Sequence, residues 1–234
     1  SYLSKSAMCR DVLRSMISDT FRRIFAMRTI RDAAFCLALN SDTAVVLTRL
    51  GAQNVLVAPN AIIEDSAGPA RNSRTGPAEK LRAIYAGRIL EWKGIATALE
   101  AFDQRREQDW TLEIYGDGVD RARLEDQTAR LGLTGVVKFM GLVDREVLFH
   151  SMHAADAFIF PSLHDSSPWV VAEAAVAGLP VLCFPQGGSK ELAIGNAQII
   201  DINRPAESIN HILDSIERGE YVPSERVLWD RQRV

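Results

Sequence analysis

The sequence predicts an α/β fold: a mostly parallel, doubly wound sheet with helices on both faces. Three observations lead there. First, short apolar runs rich in β-branched and aromatic residues, among them Ala83–Ala86, Thr111–Tyr115 and Ala157–Phe160, read as buried strands. Second, segments with helical recurrence lie between them, and strands that alternate with helices imply βαβ crossovers. Third, with 47% hydrophobic and 24% charged residues in 234, the chain can bury an ordinary core and is not globally disordered.

Taken in order, Met8–Phe35 carries Val12, Leu13, Met16, Ile17, Phe21, Ile24 and Phe25 on one helical face. Its arginines at 10, 14, 22, 23, 28 and 31 outnumber its acids, so the polar side is basic. One or two amphipathic helices follow, packed on a core or laid against an anionic membrane surface. Ala34–Leu39 reads as a strand, Ser41–Leu50 as a helix capped by Ser41, and Asn54–Ala58 as a second strand. Pro59, Gly68, Pro69, Gly76 and Pro77 then break any periodicity, which marks a linker before Leu81. Beyond it the expected series is strand 83–86, helix from Ile95, strand 111–115, helix 119–131 and strand 136–140. Helix 144–152, strand 157–160, helix 169–177, strand 180–184 and shorter elements complete it. The implied organisation is a short α/β piece over 1–60, a linker over 61–80, one full domain over 81–218 and a tail over 219–234.

The net charge of −3 argues against a nucleic-acid partner. Cys9, Cys36 and Cys183 are too far apart for a redox or zinc motif, which fits a reducing cytoplasm. No apolar run approaches the roughly 20 residues that span a bilayer. His150 and His153 lie three apart on a probable helix face but have no third ligand nearby in sequence, so no metal site is expected.

Ligands of doubly wound sheets bind at the carboxyl ends of the strands, and the chemistry-bearing residues cluster there. Gly87 and Arg88 close the first strand of the large domain, while Lys93 and Gly94 precede the next helix. A planar guanidinium and a mobile ammonium on one loop suit a diphosphate, although a solvated loop is the plainer reading of these cations alone. Asp165 stands in the polar turn after Phe160. Glu173 lies among Val170, Val171, Ala172, Ala174, Ala175 and Val176, where a carboxylate must be either paired with a cation or turned to a ligand. The helix that starts near Pro168 aims amides and a positive dipole end at the same turn.

From Leu81 to Leu192 these residues resemble the GT-B glycosyltransferases of family 4, which move a sugar from a nucleotide donor with retention of configuration. The resemblance implies that the domain is the carboxyl-terminal, Rossmann-like half of a GT-B fold, with residues 1–60 as an acceptor-domain remnant. It also implies a chain cut short at its amino end, with Trp229 opening the crossover helix. The Gly-Arg and Lys-Gly pairs (Gly87, Arg88, Lys93, Gly94) match the family's diphosphate loop, and Gly116 and Gly118 match a following turn. Leu142 and Val143, after Gly141, fall where the family contacts the base through its backbone. Asp165 and Glu173 match a carboxylate pair eight positions apart, Glu173 for the ribose hydroxyls and Asp165 for the transferred sugar. Ser166, Ser167, Trp169, Gly187, Gly188 and Glu191 complete the implied donor site.

Arg88, Lys93 and the helix start would stabilise the departing diphosphate, so the resemblance implies neither metal nor cofactor. The implied partners are a nucleotide diphosphate sugar and a glycan or lipid-linked acceptor, with possible peripheral membrane contact at the inner face.

The sequence departs from the family where Asp165 replaces the usual Glu, with about 1.5 Å less reach. Ser166-Ser167-Pro168 also stands for Gly-Phe-Gly, and Pro168 lacks an amide donor. Trp169 fits either the sugar pocket or the core. A sugar-nucleotide epimerase and a non-catalytic nucleotide-binding module remain as alternatives. A dinucleotide oxidoreductase is the third open class, and the turn Gly116-Asp117-Gly118, which lacks the third glycine of that motif, counts against it.

Overall fold

The computed structural model describes residues 24–59, 80–105, 109–193 and 195–221, and two units divide between Ala58 and Pro59. Most of the basic amphipathic stretch, the linker residues 60–79 and the tail from residue 222 lie outside the described residues.

In the first unit a helix whose described part covers 24–32 (α1) leads into strand β1 (Cys36–Ala38), helix α2 (Ser41–Arg49) and strand β2 (Val55–Val57). The two strands pair in parallel, with Cys36 opposite Val55. The cap of α2 is Asn40, not Ser41 as the sequence suggested: Asn40 is extended, and its side-chain oxygen accepts the Thr43 amide at 2.8 Å. Ser41 is already helical, so its hydroxyl stands one residue too late to cap. Phe35, Leu37, Val46 and Leu56 stay exposed, since two short strands offer little second layer to bury them.

The second unit holds six strands: β3 (Leu81–Ala86), β4 (Trp110–Tyr115), β5 (Val137–Gly141), β6 (Ala157–Phe160), β7 (Val181–Cys183) and β8 (Ala197–Ile199). They run in the order β5-β4-β3-β6-β7-β8, and every neighbouring pair is parallel. The connecting helices are α3 (Ile95–Gln104), α4 (Arg121–Arg130), α5 (Arg145–His153), α6 (Trp169–Val176), α7 (Ser189–Leu192) and α8 (Pro205–Glu217). Strand β6 is buried at all four positions, as a central parallel strand covered on both faces must be. Ile84, Phe102, Trp110, Leu112, Phe158 and Phe160 fill the core.

The chain winds outward one way from β3 to β4 and β5, and the other way from β6 to β7 and β8. The switch point therefore lies between β3 and β6, where sheets of this kind open a crevice at their carboxyl edge.

The expected strands and helices fall within a few residues of those observed, with one difference in kind. The last region holds a full helix, α8, rather than only short elements. Pro205 occupies its first turn, and Ala206, Ile209 and Leu213 form its buried stripe. Its polar residues disguise that stripe because several are used internally. The buried Arg105 guanidinium at the end of α3 pairs with Asp214 at 3.0 Å and Glu217 at 3.4 Å, and the Trp110 indole N–H donates to Glu217 at 3.2 Å.

Candidate functional site

Backbone contacts draw together the loops that follow β3, β4 and β5. The Gly87 amide donates to the Tyr115 carbonyl at 3.0 Å, the Gly116 amide to Gly141 at 2.8 Å, and the Ile89 amide to Asp117 at 2.8 Å. Gly116, with φ 126°, lies so close to the Gly87 carbonyl that a Cβ would overlap it. A residue with any side chain would thus meet both strain and a clash. Gly118 sits against the Ile89 backbone in the same layer. A cleft of about 190 Å³ opens between these loops, lined by Gly87, Arg88, Gly116, Asp117, Leu142 and Val143 among others. Leu142 and Val143 are exposed there.

Arg88 projects to solvent from this wall. Behind it the Tyr85 hydroxyl donates to the Arg88 carbonyl at 2.9 Å and fixes the start of the loop. Burial, reinforced by the Asp165 charge and opposed by Arg88, raises the Tyr85 pKa well above the usual phenol value, so the hydroxyl stays a donor.

Lys93 differs from the mobile loop cation that the sequence suggested. It ends a short 3₁₀ turn (Glu91–Lys93), is only 7% exposed and places its ammonium on both Asp165 oxygens, at 2.8 and 2.7 Å. The Phe160 ring lies 5.3 Å from the ammonium. The turn is held against the segment after β6, where Trp92 O accepts the Leu163 amide at 2.9 Å, and Gly94 lies against the Pro161 carbonyl. The cation matched to a diphosphate and the carboxylate matched to the sugar therefore form one ion pair.

Glu173 is also paired. Arg145, the first residue of α5, donates from Nε to Oε1 at 3.0 Å, and a terminal nitrogen forms an ion pair with the same oxygen at 2.9 Å. The Glu173 side chain is 13% exposed and that of Arg145 72%. A cation thus meets this carboxylate, which was one of the two readings open from sequence. The choice of Arg145 was not legible there, because the partner lies 28 positions away on another helix.

The turn between β6 and α6 carries Ser166 and Ser167, with Pro168 at the helix cap. The first amides of any helix lack intrahelical acceptors, and those of α6 open toward this turn. Trp169 is 46% exposed, which removes the core role, and it does not line the cleft. Gly187 and Gly188 pack on the Asp165 and Ser166 carbonyls, and the Gly188 amide donates to Asp165 O at 2.9 Å, so the β7 loop braces the acidic turn. Glu191 lies in α7, the short helix that follows.

The fold brings together Gly87, Arg88, Gly116, Leu142 and Val143 around one cleft, Lys93 with Asp165, and Glu173 with Arg145. Among the described residues, no group of three or more His, Cys, Asp or Glu side chains converges as a metal-ligand set. None of the described helices is long and apolar enough to cross a membrane.

Residues 69–228 match the family described as Glycosyl transferases group 1. The chain belongs to that family. Glycogen synthase of Mycobacterium tuberculosis is 32% identical over 189 residues, spanning 76% of this chain and 44% of that protein. The 2-deoxystreptamine glucosyltransferase of Streptomyces kanamyceticus is 34% identical over 172 residues, spanning 68% of this chain and 44% of its own. The chain therefore spans less than half the length of these relatives.

Two solved structures share the fold. Sucrose-phosphate synthase from Thermosynechococcus elongatus superposes with a TM-score of 0.69 at 24% identity, covering 85% of this chain and 53% of that one. HepE of Anabaena, in complex with UDP, superposes with a TM-score of 0.66 at 23% identity, covering 82% and 56%. The Rossmann-like sheet is thus that of the GT-B glycosyltransferases.

Proposed function

We propose that this chain supplies the donor-binding wall of a retaining GT-B glycosyltransferase of family 4, which takes a sugar from a nucleoside diphosphate and passes it to a glycan or lipid-linked acceptor in bacterial surface glycan synthesis. The observation that carries the reading is the placement of Arg88 and the Lys93–Asp165 pair on adjoining loops at the switch point, beside the glycine-lined cleft. HepE, of the same fold, was solved with UDP.

In this reading the base and ribose enter the cleft, with Leu142 and Val143 against the base and Glu173 on the ribose hydroxyls. The diphosphate meets Arg88, Lys93 and the amides at the start of α6. As the bond between the anomeric carbon and the phosphate oxygen breaks, negative charge grows on the departing diphosphate. Fixed cations and amides stabilise that charge with little reorganisation. No step needs a metal. Lys93 is shared between Asp165 and the phosphate, which places the Asp165 carboxylate beside the sugar. Gly87, Gly94, Gly116, Gly118, Gly187 and Gly188 act through their backbones, Ser166, Ser167 and Trp169 border the sugar, and Glu191 closes its far side. The basic stretch near the amino end is the part suited to an anionic membrane surface at the inner face.

Thermal unfolding in a panel of nucleotide sugars tests the donor assignment, because a ligand that binds only the folded state raises its stability. A rise with one or two members, undiminished by a chelator, is expected. No rise with any member would overturn the assignment. Transfer of labelled sugar by the protein as it occurs naturally, with analysis of the product anomer, tests the reaction and its stereochemistry.

A further inference from the structure

Arg145 belongs to neither group of residues that the sequence singled out, yet it joins them. It directly follows the Leu142-Val143-Asp144 loop, two members of which line the cleft, and it reaches across to Glu173 on α6. Its hydrogen bond and its closest ion-pair contact gather on one carboxylate oxygen. The Nε hydrogen bond at 3.0 Å and the closest approach of a terminal nitrogen, at 2.9 Å, both fall on Oε1.

An unrestrained glutamate carboxylate swings about its terminal torsion, which is broad and roughly two-fold. A guanidinium fork on one oxygen stops that motion and leaves the other oxygen in a set direction. We propose that Arg145 is a positioning residue of the nucleotide site, holding Glu173 by Oε1 so that Oε2 is presented to the ribose hydroxyls of a ribonucleoside diphosphate. The inference rests on the donor-binding reading given above.

The chemistry favours positioning over bulk electrostatics. An ion pair whose cation is 72% exposed is screened by solvent and salt, so it contributes little to holding the fold. Its value lies in pre-organisation. A carboxylate already oriented loses less freedom when it accepts a ligand hydroxyl, and that difference appears as affinity. The residue type matters too, since a lysine keeps the charge but not the fork that fixes direction. Because Arg145 acts through Glu173, its effect requires both the carboxylate and the hydroxyl that the carboxylate receives.

The experiment is calorimetric titration of UDP, ADP and GDP, each beside its 2′-deoxy form, into wild type, R145A, R145K, E173Q and the double variant R145A/E173Q. Thermal unfolding of each variant is run alongside, and the exposure of Arg145 leaves R145A folded. R145A is expected to weaken the preferred ribonucleotide about threefold to tenfold and its 2′-deoxy form by less, with R145K intermediate. In the E173Q background, removal of Arg145 is expected to add nothing.

Unchanged or tighter binding by R145A would overturn the proposal, as would equal losses for ribo and deoxy forms or full additivity with E173Q. Wild-type protein that bound none of the nucleotides would remove the donor-binding reading itself, and with it the role of Arg145. Wild-type binding that R145A leaves intact would remove the role of Arg145 alone.

Discussion

The two halves of the candidate site are built from different materials. On the β3–β4–β5 side the geometry is made by the main chain: glycines at 87, 116 and 118 let three loops bond to one another, and the cleft between them has few charges. On the β6–β7 side it is made by side chains. Asp165 is held by Lys93 and Glu173 by Arg145, each pair joining residues remote in sequence. The difference teaches that shape and charge are set separately. A cleft formed by backbone contacts fails when a side chain intrudes, whereas a site of ion pairs fails when one partner is removed.

The largest expected effect lies in the ion-paired half. Lys93→Ala removes a cation from the proposed diphosphate position and leaves the Asp165 carboxylate, 19% exposed, without this ion-pair partner. Under the proposed function, sugar transfer should fall roughly 10²- to 10³-fold, and urea unfolding should register a loss of about 3 kcal/mol. Arg88→Ala, which removes an exposed cation, should lower nucleoside diphosphate affinity and leave stability nearly unchanged. Equal stability losses in the two variants would erase the distinction between a buried, paired cation and an exposed one.

In the backbone half the corresponding variant is Gly116→Ala. Its Cβ would overlap the Gly87 carbonyl at a φ of 126°, so the loops must part. A stability loss of about 2–3 kcal/mol is expected, with nucleoside and nucleoside diphosphate binding reduced alike. Thermal unfolding and titration with both ligands check this, and a variant that lost only the diphosphate would place Gly116 in the charged half instead.

A smaller change follows Glu173→Gln, which keeps the shape and removes the charge. Hydrogen bonds to a charged acceptor contribute about 1.5–3 kcal/mol, so nucleotide affinity should fall about tenfold or more with little change in folding. Unaltered affinity in the folded variant would overturn the proposed ribose role of Glu173.

The smallest effect concerns the support beneath the cleft. Glu113 accepts from Arg82 and from the Tyr115 hydroxyl, each at 2.8 Å. Burial works against its ionised form, but these two bonds and the Arg82 charge outweigh it and hold its pKa below the usual glutamate value. Its stabilisation is therefore present above the unfolded-state value and disappears as the pH falls through the lower folded-state value. Glu113→Gln should be less stable than wild type by under about 1 kcal/mol at neutral pH, and the gap should close in acid. A gap that widened on acidification would reverse the sign assigned to this group.

Much of this architecture was readable from residue order. Alternation of apolar runs with helical segments is a local property, and it placed the strands and helices of the larger unit to within a few residues, with Ala157–Phe160 identical at both ends. The glycine loops were readable as well, because a glycine just after a strand answers to backbone conformation, which neighbouring residues largely determine. Helix α8 was missed in length because its polar residues serve α3 and β4 and mask its buried stripe. Asn40 and Ser41 are both competent caps, and only the backbone angles separate them.

What the sequence determined by itself was the class of fold, the carboxyl edge of its strands, and the residue types gathered at that edge. Those depend on periodicity and spacing along one chain. What only the tertiary structure decided was which charges are committed to one another. Lys93 meets Asp165 across 72 positions and Arg145 meets Glu173 across 28. A Coulomb contact depends on distance in space, and that distance exists only after β3, β5 and β6 have taken their places in the sheet.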